Sequence, residues 1–240
     1  MNIAVIFAGG NGTRMKTKNM PKQFLEVNGK SIIIYTLEKF QNSGVIDKII
    51  VVCLKEWIEH LKHLLDKHNI TKVVEVVPGG DCGQESIYNG LVAANNYKES
   101  DKDIVLIHDG VRPIIDDNLI KSNIEMVKKR SSAITCAECK ETIFIEDNIS
   151  EIKDIIDRKS CKVARAPQSF YLKEILDVHQ QAIIDGNTDT IDSCTLMRLY
   201  GKKLSIVMGE QDNIKITTPQ DYFIFEALLN AKKSSDIFNI

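Results

Sequence analysis

The sequence predicts an α/β fold in which an open, mostly parallel sheet carries helices on both faces. Short apolar segments alternate along the chain with amphipathic helical segments, and polar glycine loops follow two of the apolar segments. This alternation is typical of a parallel sheet, because a helix usually carries the chain back between parallel strands. A chain of 240 residues can bury a full core, and we expect residues 1–240 to form one domain.

The first predicted strand runs into a glycine loop. Residues 3–7 form an unbroken apolar segment of the kind found in buried parallel strands, and Ala8-Gly9-Gly10-Asn11-Gly12-Thr13-Arg14-Met15 follows directly. Glycine has no Cβ, so main-chain N–H groups can turn toward an anion. Arg14 and Lys22 add two cations near this loop. The loop therefore predicts a site for a polyphosphate such as a nucleoside triphosphate.

Other interpretations of this loop exist. A dinucleotide-binding fingerprint, G-x-G-x-x-G, would need a third glycine where Met15 stands, which weakens the case for an oxidoreductase. The P-loop pattern G-x-x-x-x-G-K-[ST] is absent from the sequence. A plain glycine turn without a ligand stays open for the loop taken alone.

The middle of the chain repeats the strand and helix pattern. We expect helices over residues 32–40, 56–67 and 87–97, and strands over residues 47–54, 73–77 and 104–107. A second glycine loop, residues 78–86, follows one of these strands. Because the carboxyl ends of parallel strands meet at one edge, both glycine loops should open on the same side of the sheet.

The strand over residues 104–107 leads into His108-Asp109-Gly110-Val111-Arg112-Pro113. An aspartate and an arginine three residues apart can hold a metal ion or hydroxyl and a phosphate, respectively. An aspartate after a strand is also often only a helix cap, so both interpretations stay open for this motif alone.

Residues 140–160 break the helical period and predict a β-hairpin, with limbs over residues 141–145 and 149–156. An isolated hairpin is marginally stable in water unless it packs against something. We therefore expect residues 140–160 to project as a dimerisation arm, so that a homodimer forms by arm exchange.

The last third of the chain predicts helices over residues 172–184, 189–200 and 220–231, and a strand over residues 204–207. Thr218 and Pro219 suit the cap and first position of the last helix. Lys215 lies between the strand and that helix, where it is a third cation able to reach bound phosphates.

Composition limits the choice of partners. Lys and Arg number 31 against 33 Asp and Glu, so no global field favours nucleic acid or a membrane surface. The sequence has no apolar run long enough for a membrane span and no signal peptide pattern. Six scattered cysteines are consistent with a reducing compartment, and we expect a cytoplasmic protein. Cys136 and Cys139 lack a second pair at zinc-site spacing.

Taken in order, these motifs resemble the cytidylyltransferases that make CDP-methylerythritol and CDP-ribitol. The resemblance is collinear and covers nearly the whole chain. Seven motifs carry it: Ala8-Gly9-Gly10-x-Gly12-x-Arg14-Met15, Pro21-Lys22-Gln23-Phe24, Gly79-Gly80-Asp81 with Ser86, His108-Asp109-x-x-Arg112-Pro113, Asp157-Arg158, Pro167-Gln168 and Asn213-Ile214-Lys215.

The resemblance implies a Rossmann-like fold and a reaction in which CTP and a polyol phosphate give a CDP-alcohol and pyrophosphate. Arg14 and Lys22 would bind the triphosphate and steady the leaving pyrophosphate, and Lys215 would hold the α-phosphate. Mg²⁺ would bridge the phosphates of CTP, with Asp109 or Asp212 as a possible direct ligand.

The resemblance also implies the binding residues. Asp109 and Arg112 would orient the acceptor, while Thr142 and Arg158 would complete the acceptor site of the partner subunit. The nucleotide-binding residues would be Ala8, Gly9, Gly10, Gly12, Gly80, Asp81 and Ser86.

Departures from the family pattern bear on the acceptor. Methylerythritol-type members usually carry threonine where this chain has Ala166, and the segment Thr190-Ile191-Asp192-Ser193-Cys194 lacks their glutamate. Gly110-Val111 and residues 167–170 are closer to the ribitol-phosphate branch. We expect a pentitol or hexitol phosphate as acceptor. Methylerythritol phosphate, a sugar nucleotidyltransferase that uses UTP or TTP, and an inactive nucleotide-binding module remain as alternatives.

Overall fold

The computed structural model describes residues 1–10, 15, 20–147 and 150–238, with side chains described as far as residue 231. Its strands are β1 Asn2–Ala8, β2 Glu26–Val27, β3 Lys30–Ser31, β4 Lys48–Cys53, β5 Val73–Pro78, β6 Ile104–Asp109, β7 Ser132–Glu138, β8 Ile143–Glu146, β9 Ile152–Ile156, β10 Lys162–Tyr171 and β11 Ile206–Met208. Its α-helices are α1 Ile32–Gln41, α2 Ile58–Lys67, α3 Gly83–Asn95, α4 Asp117–Arg130, α5 Leu172–Ile184, α6 Ser193–Leu199 and α7 Pro219–Phe238.

A seven-stranded sheet forms the centre of the molecule, in the order β11-β7-β10-β6-β1-β4-β5. β1 runs parallel to β4 and β6, β4 runs parallel to β5, and β11 runs parallel to β7. β10 runs antiparallel between β6 and β7. The predicted α/β fold with a mostly parallel sheet is confirmed.

Helices cover both faces of this sheet. Along β1, Ala4 and Ile6 pack toward one face, whereas Ile3 and Val5 pack toward the other. The first face is covered by α1, α2 and α4, and the second by α3, α5 and α6. All four of these side chains are fully buried, and every residue of β1 after Asn2 is apolar, as expected for a central parallel strand.

Helix α3 lies very close to the sheet because of Gly90. A Cβ at this position would stand only 2.6 Å from Val5 Cγ1 and 2.7 Å from Val52 Cγ2. Glycine therefore permits a close approach that any larger residue would prevent. This packing brings the start of α3, and the glycine loop before it, to the ends of β1 and β4.

The antiparallel strand β10 was not predicted from the sequence. It contains Pro167, which argues against a central strand because proline cannot donate a ladder hydrogen bond. The structure accommodates the proline where the pairing with β7 shifts register, between Ala164 and Gln168. Pro167 therefore interrupts the strand pattern in the sequence, although β10 is one continuous strand in the fold.

The predicted hairpin is present, formed by β8 and β9 as a separate two-stranded antiparallel sheet. Phe144 lies opposite Ile155, and the two side chains are 51% and 60% exposed. Ile152 on the return limb is 61% exposed. The hairpin thus presents apolar side chains that its own chain leaves uncovered.

In the described part of the chain, no helix combines the length and the apolar character that a membrane crossing requires.

Candidate active site

The two glycine loops meet at the carboxyl ends of β1 and β5. A Cβ built on Gly9 would lie 3.3 Å from Ser86 Oγ and 3.5 Å from Gly79 Cα. The Ala8 carbonyl accepts a hydrogen bond of 2.6 Å from Gln23 Nε2, which ties the first loop to the turn that begins at Lys22. The loops open on one side of the sheet, as the strand pattern predicts.

The second glycine loop is organised by the first turn of α3. The N–H of Gly80 donates to Ser86 Oγ at 3.0 Å, and the N–H of Asp81 donates to Glu85 Oε2 at 2.7 Å. The N–H of Glu85 in turn donates to the sulfur of Cys82, the N-cap residue. These bonds fix the loop, and the Ser86 hydroxyl is one of its acceptors.

The carboxylate of Asp109 lies at the end of β6, next to these loops. Its Oδ1 is 2.6 Å from Lys215 Nζ, and its Oδ2 accepts from Arg112 Nε at 2.7 Å. Burial opposes ionisation of this carboxyl, but the two cations outweigh that cost and hold the pKa of Asp109 at about 2. Asp109 is therefore a permanent anion that positions two cations.

Arg112 is buried and bonded on two sides. Its Nη1 donates to the Asn213 carbonyl at 2.9 Å, in addition to the bond from Nε to Asp109. Behind it, burial lowers the pKa of His108 to about 4, so this ring is neutral at pH 7. The ring Nε2 lies 3.0 Å from the Arg112 carbonyl, and it donates there as the neutral tautomer. The guanidinium is thereby held in one orientation.

Lys215 lies in the segment between β11 and α7. The N–H of Ile216 donates to the Val111 carbonyl at 2.9 Å, and Asn213 Nδ2 donates to the Ala166 carbonyl at 2.8 Å. These bonds hold the segment against β6 and β10. The Lys215 side chain is 37% exposed, and its ammonium stands 5.7 Å above the Phe7 ring. It can contact a ligand while it stays paired with Asp109.

A cleft of about 300 Å³ opens beside this cluster. Phe7 and Ile107 contribute from the strands, and Arg165 and Gln168 contribute from β10. Asp192, the N-cap of α6, completes the wall and accepts a hydrogen bond of 3.0 Å from Gln168 Nε2. The cleft therefore combines cations, amides and carboxylates within the volume of a small phosphorylated substrate.

A larger cavity of about 520 Å³ lies between α3 and α5, around Tyr88 and His179. Among the described residues that line it, none is Lys or Arg. Phosphate chemistry needs cations near the reacting oxygens. The smaller cleft beside Asp109 is therefore the better candidate active site.

The structure brings most of the predicted residues to this edge of the sheet. Gly10 is exposed, and Lys22 starts the 3-10 turn Lys22–Phe24. Gly12 and Arg14 lie outside the described residues, so their predicted roles have no structural description. The residues found at the two loops and the cluster are Ala8, Gly9, Gly80, Asp81, Ser86, Asp109, Arg112 and Lys215.

Thr142 and Arg158 stand at the base of the hairpin instead. Thr142 is exposed, and Arg158 Nη1 donates to the Lys140 carbonyl at 3.0 Å. Neither side chain lines the cleft of its own protomer. Their predicted role in the site of a partner subunit stays a prediction.

The two predicted metal ligands, Asp109 and Asp212, lie apart. Both oxygens of Asp109 are taken by cations, and Asp212 lines a separate cavity of about 360 Å³ near α4. Within the described ranges, no three His, Cys, Asp or Glu side chains are grouped as metal ligands would be. Asp109 and Asp212 therefore line different cavities, and their predicted role as direct Mg²⁺ ligands stays a prediction.

The sequence alone assigns no role to three side chains of the cleft, those of Arg165, Gln168 and Asp192. Gln168 receives the Cys194 N–H at 2.8 Å while it donates to Asp192, so it joins β10 to α6. Arg165 enters the cleft from the same strand. The motif Pro167-Gln168 was visible in the sequence, but its place depends on β10 as an inserted antiparallel strand, which the pattern did not predict.

Comparisons with known proteins agree with this geometry. The profile of the family described as 2-C-methyl-D-erythritol 4-phosphate cytidylyltransferase matches residues 2–231. A ribitol-5-phosphate cytidylyltransferase from Streptococcus agalactiae is 49% identical over 240 residues, which is the full length of both chains. A 2-C-methyl-D-erythritol 4-phosphate cytidylyltransferase from Clostridium botulinum is 36% identical and covers 95% of this chain and 97% of its own length.

A solved structure supports the same relationship. The 4-diphosphocytidyl-2C-methyl-D-erythritol synthase from Anaerococcus prevotii superposes with a TM-score of 0.82 at 28% identity, covering 95% of this chain and 96% of its own. The resemblance found in the motifs and the prediction of a nucleotidyltransferase are thereby confirmed. The chain belongs to the family of 2-C-methyl-D-erythritol 4-phosphate cytidylyltransferases.

Proposed function

We propose that this chain transfers CMP from CTP to a linear polyol phosphate such as ribitol 5-phosphate, with release of pyrophosphate. The observation that carries the proposal is the cluster of Asp109, Arg112 and Lys215 beside two glycine loops, at the mouth of a cleft. The choice of acceptor is supported by a relative named for ribitol 5-phosphate that is 49% identical, whereas a relative named for methylerythritol phosphate is 36% identical.

The proposed reaction is a single in-line displacement. An oxygen of the acceptor phosphate attacks the α-phosphorus of CTP, a new P–O bond forms, and the bond from the α-phosphorus to the bridging oxygen of pyrophosphate breaks. Two anions must approach each other, so positioning and charge neutralisation provide the rate enhancement. No covalent intermediate on the protein is required.

Lys215 would stabilise the charge on the α-phosphate. Its ammonium is partly exposed and is held in place by the ionised Asp109. Asp109 would orient the acceptor indirectly, because it holds Lys215 and Arg112 at the cleft. Arg112 would keep this carboxylate in place and add positive charge.

The glycine loops would receive the nucleotide. The exposed Gly10 and the hydroxyl of Ser86 stand where a base and ribose can approach the main chain closely. Arg14 and Lys22 would bind the β- and γ-phosphates, and Gly12 would be a further nucleotide-binding residue of the first loop. These roles follow from the family motifs.

Mg²⁺ would come to the site with CTP, bound to its phosphate oxygens. This proposal replaces the expected aspartate ligands, because Asp109 is fully engaged by two cations and Asp212 faces another cavity.

Cytoplasmic localisation is also proposed. The six cysteines form no disulfide, which is consistent with a reducing compartment.

The hairpin would act as a dimerisation arm. Phe144 and Ile155 form an exposed apolar pair that a second copy of the chain could bury. Thr142 and Arg158, at the base of the same hairpin, would then reach the partner's acceptor site. We expect a dimer in sedimentation, and Phe144→Glu should convert it to a monomer. If the wild-type protein is a monomer, the proposed role of the hairpin in dimerisation is wrong.

A pyrophosphate-release assay tests the proposed function. CTP would be combined with ribitol 5-phosphate, with a hexitol phosphate, or with methylerythritol phosphate, and UTP and TTP would replace CTP in parallel reactions. We expect turnover with CTP and a linear polyol phosphate. Turnover only with methylerythritol phosphate would contradict the proposed acceptor, and CTP binding without turnover on any acceptor would indicate an inactive module.

A further inference from the structure

Arg165 occupies an unusual place in the sheet. β10 pairs with β7 up to Ala164 and resumes its regular pairing at Gln168, where it also pairs with Ile107 of β6. Arg165 and Ala166 lie in the interruption, level with the end of β6 where Asp109 stands. The bond from Asn213 Nδ2 to the Ala166 carbonyl fixes this segment.

The guanidinium of Arg165 lacks the partners that its neighbours have. Its Nε is buried and has no hydrogen-bond partner among the residues that the structure describes. Arg112, in contrast, is bonded to Asp109 and to a carbonyl oxygen. No described carboxylate pairs with Arg165, since Asp109 is occupied and Asp192 is bonded to Gln168 and to the N–H of Thr195. A donor in this position is typical of a site that awaits an acceptor.

The charges around the cleft point to an anion. Arg112, Arg165 and Lys215 line it together with only two carboxylates, both already bonded. Burial and the nearby Arg112 together lower the pKa of Arg165, which means that the protein alone leaves its charge poorly compensated. An added anion would supply the missing acceptor and reduce the repulsion between the two arginines.

The order of the strands indicates which anion this is. The glycine loops that would hold CTP follow β1 and β5, on one side of β6. Arg165 belongs to β10, on the other side of β6. Lys215 and Asp109 stand between them. A substrate bound by Arg165 would therefore approach the α-phosphate from the side opposite to the nucleotide loops.

We propose that Arg165 binds the phosphate monoester of the acceptor. This inference rests on the proposed function. The fork of Nε and Nη donors matches the oxygens of a phosphate, and a lysine can supply only part of this geometry. Arg165 is thus a binding residue of the cleft that the family motifs did not assign.

Steady-state kinetics of three variants test the proposal. Arg165→Gln should raise the KM for ribitol 5-phosphate on the order of 10-fold or more, while the KM for CTP stays within about twofold. Arg165→Lys should recover part of the loss. Arg130→Gln, at the exposed end of α4, is the matched control and should behave as wild type. Melting temperatures of all proteins are measured in parallel.

The outcomes of these measurements decide whether Arg165 binds the acceptor phosphate. An unchanged KM for ribitol 5-phosphate would overturn the proposal, and so would a rise confined to the KM for CTP or an equal loss for both substrates with a lowered melting temperature. If Arg165→Gln does not fold, Arg165→Lys carries the same comparison. If wild type shows no turnover with any acceptor, the proposed function fails. Calorimetric binding of ribitol 5-phosphate to wild type and Arg165→Gln then still tests Arg165.

Discussion

Strand β6 has a buried aspartate beside each of its ends, and the two carboxylates have different partners. Asp103 precedes the strand and accepts from the N–H of Glu99 at 2.7 Å and from the hydroxyl of Ser100 at 2.8 Å. It also pairs with the Met1 ammonium at 2.9 Å. Asp109 ends the strand and is held by the side chains of Lys215 and Arg112.

The pKa values of the two carboxyls do not distinguish their roles. Burial raises the pKa of Asp103, but hydrogen bonds led by the Glu99 N–H bring it down to about 2. Asp109 also has a pKa of about 2, although cations rather than main-chain groups are responsible. A lowered pKa therefore does not distinguish a structural carboxylate from one in the candidate active site. What differs is that Asp109 and its cations line a cleft.

The largest expected difference is in activity. Asp109→Asn should lower kcat/KM on the order of 100-fold or more, because Lys215 and Arg112 lose the anion that positions them. Asp103→Asn should leave kcat/KM per folded molecule within a few-fold, although it destabilises the protein. Pyrophosphate release measured beside circular dichroism checks both. Equal losses of kcat/KM in the two variants would contradict a functional difference between Asp109 and Asp103.

Lysine substitutions sharpen the comparison at the Asp109 end. Lys215→Ala should lower kcat/KM on the order of 100-fold, because a charge next to the α-phosphate is lost. Lys202→Ala is a closely matched control, since Lys202 is also 37% exposed and is also ion-paired, with Glu174 on the surface. The same assay should find Lys202→Ala near wild type. Similar activities for the two variants would exclude Lys215 from the reaction.

A smaller effect is expected in acid stability. The folded-state pKa of Asp109 lies below its ordinary value of 3.8, so its ionised form stabilises the fold above pH 4 and this contribution is lost as the pH falls toward 2. The depression corresponds to about 2 kcal/mol at neutral pH. Urea unfolding should show wild type more stable than Asp109→Asn at pH 7, with the difference shrinking toward pH 2. A difference in unfolding free energy that does not change with pH would contradict the low pKa of Asp109.

The parallel part of the fold was predictable because it depends on local pattern. The apolar segments of β1, β4, β5 and β6 and the glycine loops after β1 and β5 follow directly from the sequence. The contact between Asp109 and Lys215 joins residues 106 positions apart in the chain, and only the packing of the segment after β11 brings them together. Asp212 shows the same limit of prediction from sequence. It is only three residues from Lys215 in the chain, but the two side chains line different cavities.

The antiparallel insertion explains most of what the sequence did not reveal. Pro167 interrupts the strand pattern of β10, yet this interruption is the feature that presents Arg165 and Gln168 to the cleft. Predictions from local sequence pattern fail for β10 because its conformation depends on its contacts with β6, β7 and Asn213. Departures from regular patterns are common at functional sites.

A crystal structure with CTP and Mg²⁺ bound tests the central claim most directly, namely that nucleotidyl transfer takes place at the Asp109 end of β6. Lys215 Nζ should then lie at about 3 Å from an α-phosphate oxygen, with the base against the glycine loops and the cleft beside Arg165 open for the acceptor. A nucleotide bound elsewhere, for example between α3 and α5, with Lys215 still directed only at Asp109, would contradict the claim.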